Sequence, residues 1–181
     1  MNRDEALSLV QSMVTNRNLL KHMLATEACL RSLARKLGED EEKWGLAGLL
    51  HDVDYDQTKE DTSRHGIVGA EILTQRGLES DIIHAVLAHV GNVPAESKLD
   101  KALYAADPVT GLIVAAALMH PTKKLANVDT DFVLRRFQEK RFAAGANREQ
   151  IASCSTLGLS LEEFTSTCVA AMQGIAAELG L

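Results

Sequence analysis

The segment Leu46–Asp54 reads LAGLLHDVD, and it joins a run of small and aliphatic residues directly to the pair His51-Asp52. Burying an imidazole or a carboxylate costs several kcal/mol unless the group is paired or binds a metal ion. Adjacent residues on a regular helix point about 100° apart, so both side chains can reach one ion only where the helix ends or is distorted. The segment therefore predicts a helix that ends at a buried polar site.

Composition and charge limit the kind of protein that carries this segment. A chain of 181 residues with 46% hydrophobic content can bury one sizeable core, which predicts a single domain over residues 1–181. The formal net charge of -6 argues against a broad basic surface, so we expect neither polymeric nucleic acid nor a membrane as a partner. The longest apolar run, Gly111–Met119, is too short to span a bilayer. The three cysteines show no CxxC spacing and suit reduced thiols, which favours a cytoplasmic protein.

Helical patterns dominate the chain, and no alternating pattern typical of strands is present. Apolar residues at three-and-four spacing, capping residues and Gly or Pro stops predict these helices: Asp4 to about Asn16, about Leu19–Leu37, the Glu39–Glu42 region to His51, Ser63–Gly77, about Glu79–His89, Lys98–Met119 with a break at Asp107-Pro108, about Asp131–Lys140, one from about Arg148, and Ser160 to about Leu179. His65 is expected in the first turn of its helix. The fold class predicted is therefore all-α, a compact helical bundle.

Five of the six histidines lie between residues 22 and 89, spread over four predicted helices. With one downstream aspartate they form an ordered set: His22, His51-Asp52, His65, His89 and Asp107. This set resembles the HD-domain (HDIG-like) metal-dependent phosphohydrolase superfamily, in which a histidine precedes an adjacent His-Asp pair, further histidines and a later aspartate. The resemblance covers roughly residues 18–110, and it implies an HD-type helical domain that the C-terminal helices complete.

The resemblance also implies a ligand set and a catalytic residue. His22, His51, Asp52 and Asp107 would hold one ion, and His65 and His89 would hold a second ion with Asp52 as a bridge. Asp52 would orient the nucleophilic water between the ions. Imidazole and carboxylate donors without a nearby thiolate suit divalent transition metals such as Fe, Mn, Ni, Co or Zn.

One position departs from a common variant of the superfamily, in which an apolar residue, a glycine and a lysine follow the His-Asp pair. Here Asp54 and Tyr55 follow Val53, so the phosphate-binding lysine of that variant is absent. Seven other basic residues could supply the missing charge: Lys59, Arg64, Lys101, Lys123, Lys124, Arg141 and Arg148.

Several polar residues near the motifs have two interpretations. Asp54 and Asp56 either orient a ligand histidine or belong to a polar turn. Glu27 is expected to be an exposed helix carboxylate. His84 is expected on the helix surface or behind a ligand, and His120 at the negative end of its helix.

The function predicted is hydrolysis of a small phosphorylated compound, such as a nucleotide or another phosphate ester, by metal-activated water. Two alternatives stay open, because some members of the superfamily are mixed-valence di-iron oxygenases with nearly the same ligands, and others are non-catalytic signalling or binding modules.

Overall fold

The computed structural model describes residues 1–181, and all of its regular structure is helical. The α-helices are α1 Arg3–Met13, α2 Arg17–Leu37, α3 Glu41–Leu50, α4 Tyr55–Thr58, α5 Ile67–Gln75, α6 Ser80–His89, α7 Lys98–Met119, α8 Thr130–Gln138, α9 Arg148–Ala152, α10 Leu161–Gln173 and α11 Ala176–Leu179. Three short 3-10 turns lie at Thr62–Arg64, Leu125–Asn127 and Ser153–Leu157. The predicted all-α class is confirmed.

Local capping explains where several helices begin and end. The side chain of Asn16 accepts hydrogen bonds from the first backbone N–H groups of α2, and Gly38 ends that helix in the left-handed conformation with φ 72°. Ser160 and Glu163 form the predicted capping box of α10. At α1 the cap is Asn2, not Asp4, because Asn2 and Glu5 satisfy each other's backbone donors.

Two long helices, α2 and α7, organise the core. α2 packs against α3, α7 and α10, and α7 packs also against α6, α8 and α9. Their buried side chains include Leu30, Leu33, Leu103 and Leu112, and full burial of each stabilises the fold by about 1.5–3 kcal/mol. A smaller apolar cluster joins α1 to α3, α5 and α6.

The small residues of the Leu46–Asp54 segment let α3 approach α2 closely. A Cβ atom on Gly48 would lie 2.9 Å from the backbone nitrogen and Cα of Glu27, so only glycine fits at this crossing. The close approach brings the C-terminal end of α3, where His51 lies, beside His22 on α2.

The predicted break of α7 at Asp107-Pro108 is wrong, because the helix runs from Lys98 to Met119 with Pro108 inside it. A proline removes one helical hydrogen bond, but buried residues on both sides, including Ala106 and Val109, hold the helix in the core. α7 is also the one helix long and apolar enough to cross a membrane, and 56% of its apolar window is buried within the protein. The apolar run considered in the sequence was shorter than this helix.

The entry to α5 also differs from prediction. Thr62–Arg64 forms a 3-10 turn, His65 is extended with ψ 137°, and Gly66 has φ 78° before the helix begins at Ile67. Ser63 does not cap α5; Asp54 from the preceding loop takes that role. Near the C-terminus, α10 ends at Gln173 and a separate α11 follows, since Gly174 has a low helix propensity.

Candidate metal centre

Six side chains from five parts of the fold converge at one place. His22 lies in the second turn of α2, His51 caps the end of α3 and Asp52 follows it, His65 precedes α5, His89 ends α6, and Asp107 lies in the middle of α7. The imidazole rings form a chain with centroid distances of 5.0 Å from His22 to His51, 5.1 Å from His51 to His89 and 5.3 Å from His89 to His65. Every residue of the predicted set is therefore in this cluster.

Asp52 divides the cluster into two halves. Its Oδ1 atom is 3.2 Å from Nε2 of His65 and 3.4 Å from Nε2 of His89. Its Oδ2 atom is 3.4 Å from Nε2 of His51 and 3.7 Å from Nε2 of His22. Each carboxylate oxygen thus faces its own pair of imidazoles.

Asp107 belongs to one half only. Its Oδ1 atom is 3.1 Å from Nε2 of His22 and 3.9 Å from Nε2 of His51. The donor atoms of these three residues lie within 4.8 Å of one another, and so do those of His51, Asp52 and His89. His65 is outside both of these groups of three, but its Nε2 atom contacts Oδ1 of Asp52.

The Nδ1 atoms of two deeply buried histidines have backbone partners. Nδ1 of His51 lies 2.8 Å from the carbonyl oxygen of Gly48, and Nδ1 of His89 lies 2.6 Å from that of Val86. Because a carbonyl oxygen only accepts, each Nδ1 must carry the proton and donate. In the neutral ring, Nε2 then presents a lone pair to the cluster.

The other two histidines are held in the same way by side chains. Nδ1 of His65 donates to Oδ1 of Asp54 at 2.9 Å. Nδ1 of His22 lies 2.9 Å from Oγ1 of Thr110, and that hydroxyl donates to the backbone carbonyl of Asp107. The hydroxyl therefore accepts from His22, and all four rings direct Nε2 inward.

This donor set fits a bound cation. Nε2 of His22 and Nε2 of His51 are 3.1 Å apart, an arrangement of two acceptors that requires a cation or an added proton between them. Nε2 of His89 is buried and has no hydrogen-bond partner. Imidazole nitrogens with carboxylate oxygens, and no thiolate among them, suit a divalent first-row transition metal.

A family model of the HD domain matches residues 19–117, more than half of the chain. The chain belongs to the HD domain family. The matched region contains all six residues of the cluster, and the resemblance drawn from the motifs is confirmed.

The similar curated proteins are named ribonuclease Y. That of Oleidesulfovibrio alaskensis is 34% identical over 96 residues, which is 53% of this chain and 18% of the relative. That of Nitratidesulfovibrio vulgaris is 36% identical over the same shares of the two chains, and that of a Sulfurovum species is 29% identical over 135 residues, 73% of this chain and 26% of the relative. The chain thus spans about a fifth to a quarter of the length of these relatives. No solved structure matches it.

These names contradict the expectation that polymeric nucleic acid is excluded as a partner. The expectation rested on the net charge of -6, which averages over the whole surface. A metal centre can bind a phosphate group through a few local contacts, so net charge alone does not exclude nucleic acid.

The carboxylates beside His65 favour the protonated form of its imidazole. Burial lowers the pKa of this imidazole, but its hydrogen bonds with Asp52 and Asp54 outweigh burial and raise the pKa to about 10. Burial lowers the pKa of His51 to about 4, so this ring is neutral. The pKa of Asp52 is raised by burial but lowered more by its histidine neighbours, and it lies well below its ordinary value. A metal ion that uses Nε2 of His65 must displace a proton.

Asp54 is the buried partner that orients His65. Besides the bond to His65, its Oδ2 atom accepts from the backbone N–H groups of Gly66 at 2.8 Å and Gly69 at 2.9 Å. Of the two interpretations, orientation of a cluster histidine is correct for Asp54. Asp56 is partly exposed and accepts hydrogen bonds from the backbone N–H and the hydroxyl of Thr15, as a polar turn residue does.

The other polar residues near the motifs lie outside the cluster. Glu27 is buried, so the expected exposed carboxylate is wrong; Arg3 and Arg31 pair with it at 2.6 and 2.9 Å and neutralise its charge. His84 is half-exposed, with Nδ1 bonded to Asp100, and His120 is the C-cap of α7.

The cluster is most exposed to solvent at His22 and Asp107, and the side chain of His65 is 15% exposed. His51 and His89 are buried, whereas the side chains of His22 and Asp107 are 24% and 29% exposed. These two residues line a cleft of about 380 Å³ whose other wall is the loop Ala143–Ala146. This side offers a substrate the most exposed approach to the cluster.

The guanidinium of Arg148 is hydrogen-bonded to the segment that forms the wall of that cleft, so it is not free to bind an anion. Its guanidinium donates to the carbonyl oxygens of Ala143 and Ala146 at 2.8 and 2.6 Å, and to four more at Arg136, Phe137, Glu139 and Phe142. No basic residue lines the cleft itself. The candidate countercharges named from the sequence are absent from it.

Proposed function

We propose that this HD domain is a metal-dependent phosphohydrolase with a two-ion centre. His22, His51 and Asp107 would hold one ion, His65 and His89 the other, and Asp52 would bridge them. The observation that carries this proposal is the position of Asp52, because its two carboxylate oxygens face different pairs of imidazole nitrogens.

Bound divalent ions would lower the pKa of a water molecule and stabilise the negative charge that develops on phosphoryl oxygens. The chain's own residues supply position and shape. The hydrogen bonds donated by the Nδ1–H groups fix the planes of the imidazole rings. His51 donates to the carbonyl oxygen of Gly48, and His89 donates to that of Val86. Asp52 is the residue that would orient the water. The buried histidines close the far side, so the phosphoryl group enters beside His22 and Asp107.

We propose a small phosphorylated compound as the substrate, because a cleft of about 380 Å³ falls within the range typical of small-molecule sites. The name of the relatives makes RNA the competing substrate. Both present a phosphoester to the same edge of the centre, so a direct comparison of hydrolysis rates must decide between them.

The test is a screen of nucleotides, cyclic nucleotides, sugar phosphates and single-stranded RNA with Mn²⁺, Co²⁺, Ni²⁺, Mg²⁺ and Fe²⁺. Wild type is compared with Asp52→Ala, and Asp56→Ala serves as the matched control because it removes a partly exposed nearby carboxylate that lies outside the cluster. We expect metal-dependent hydrolysis by wild type and the control, and none by Asp52→Ala with its helical circular dichroism intact.

Two results would overturn the proposal. Absence of hydrolysis throughout the screen, with oxygen-dependent consumption of an organic substrate by the iron form, would identify a di-iron oxygenase. Failure of the wild-type protein to take up any of these metals would leave a binding or signalling module.

A further inference from the structure

A second cleft, of about 490 Å³, adjoins the metal centre on the other side of His22. Its walls are the start of α2, the second half of α7 and the segment Leu179–Leu181. His22 and Gly111 line both this cleft and the first one. A ligand whose phosphate lies at the exposed edge of the centre can therefore extend into the second cleft.

Lys21 provides a positive charge in the lining of the second cleft. Its side chain is half-buried, and it takes part in none of the protein's ion pairs, whereas Lys43 and Lys98 are paired with carboxylates. Its Nζ atom lies close to the backbone of Gly180, where a Cβ would be only 2.9 Å away. No acidic residue lines this cleft. An ammonium group in this setting is suited to an anionic oxygen of a ligand.

Much of the remaining lining of the second cleft is aliphatic. Its apolar lining consists of Ala25, Val114, Ala115, Leu118, Leu179 and Leu181. No Phe, Tyr or Trp side chain is present on which a nucleobase could stack, and the imidazole of His22 is directed into the metal cluster. The lining thus favours a saturated hydrocarbon group over a base.

We propose that the second cleft is a recognition site for a phosphoester that carries a short alkyl chain. One phosphate oxygen binds Lys21, the phosphorus lies at the His22 edge of the centre, and the chain lies along Val114 and Leu118. This inference rests on the proposed function, because it places the phosphate at the metal centre. Each methylene buried in the cleft should tighten binding by about two- to fourfold.

Alkylphosphonates test this site without turnover, because their carbon–phosphorus bond replaces the hydrolysable ester. Methyl-, butyl- and hexylphosphonate are titrated by calorimetry into the full chain, both loaded with Mn²⁺ and treated with chelator. We expect affinity to rise with chain length in wild type. Lys21→Gln should weaken all three ligands by about tenfold, as expected for loss of a partly buried ionic contact.

Two variants with matched controls separate the charge from the apolar wall. Leu118→Asp should abolish the dependence on chain length while methylphosphonate still binds, and Met119→Asp should not, because Met119 is exposed and outside the cleft. Lys36→Gln removes an exposed lysine at the other end of α2 and should leave all three affinities unchanged. Since Leu118 is 54% exposed, its replacement is compatible with folding.

The outcomes distinguish this site from the proposed function. Equal affinities for the three phosphonates in wild type, or identical behaviour of Leu118→Asp and Met119→Asp, would overturn the site even if phosphoesters are hydrolysed. A preference for hexylphosphonate that depends on Lys21 and Leu118 would support the site even if no hydrolysis is found. Hydrolysis of RNA with no preference among alkyl phosphates would also count against it.

Discussion

Replacement of Asp54 by asparagine tests how the protein orients His65. Asp54 is completely buried, and its carboxylate accepts three hydrogen bonds, one from His65 and two from the start of α5. An amide retains one acceptor oxygen but turns an NH₂ group toward at least one of these donors, which leaves a buried donor unsatisfied. That loss is about 1–3 kcal/mol, and loss of the charge-assisted bonds brings the expected destabilisation to about 2–5 kcal/mol.

The same replacement should weaken metal binding. A partner that fixes the ring and tautomer of a metal-binding histidine typically contributes about 10–100-fold in affinity. We therefore expect Asp54→Asn to retain the first ion and to lose the second at 10–100-fold lower chelator concentration than wild type. Plasma mass spectrometry after competition with a chelator measures the ions, and urea unfolding measures the stability.

Asp56→Asn is the matched control, because Asp56 lies two residues away, is partly exposed and is hydrogen-bonded to Thr15 rather than to a histidine. It should match wild type in metal content. If Asp54→Asn keeps both the second ion and the stability of wild type, then the hydrogen bond from His65 to Asp54 does not orient a ligand, and this part of the account fails.

Three further results are expected. His89→Ala should lower bound metal by about one ion per chain, measured by plasma mass spectrometry, and an unchanged count would argue for a single ion. Gly48→Ala should lower the free energy of unfolding in urea by about 1–3 kcal/mol, because the added Cβ meets the backbone of α2. Gly111→Ala is the matched control: its Cβ meets nothing within 4 Å, so the free energy of unfolding should rise by up to about 1 kcal/mol. Thermal unfolding of chelator-treated protein should show highest stability near pH 6.5. The pKa of His65 is raised to about 10 in the folded protein, so its contribution to stability is lost as pH rises from 6.5 to 10. The pKa of His51 is lowered to about 4, so stability is lost as pH falls from 6.5 to 4. A flat profile would contradict these pKa shifts.

The polar cluster could be predicted from the sequence because its residues are chemically distinctive and keep a fixed order. His51 and Asp52 follow an apolar run that comes after the acidic Glu39–Glu42 region, a local signal for a helix start, and both side chains can point inward where a helix ends or is distorted. The long helices with clear caps, such as α2 between Asn16 and Gly38, were predictable for the same reason: the signals are local.

The errors arose where a distant part of the chain decides the local structure. Ser63 looked like a helix cap, but Asp54 satisfies the first N–H groups of α5 instead. Glu27 looked exposed, but Arg3 from another helix neutralises it in a buried position. Pro108 looked like a break, but burial on both sides keeps α7 continuous. None of these tertiary contacts leaves a pattern in its own segment.

The residues that line the two clefts could not be predicted from the sequence either. The loop Ala143–Ala146 carries no reactive side chain, and its place beside Asp107 depends on the carbonyl contacts of Arg148. Lys21 was not among the basic residues considered for phosphate binding. Its significance comes from the absence of a carboxylate partner and from its position beside His22, both of which require the fold.

Anomalous X-ray scattering from crystals of the Mn²⁺-loaded protein, recorded above and below the manganese absorption edge, tests the central claim most directly. The account predicts two manganese peaks in the cluster, one bound by His22, His51 and Asp107 and one by His65 and His89, with the carboxylate of Asp52 bound to both. A single peak, or no peak among these residues, would contradict it.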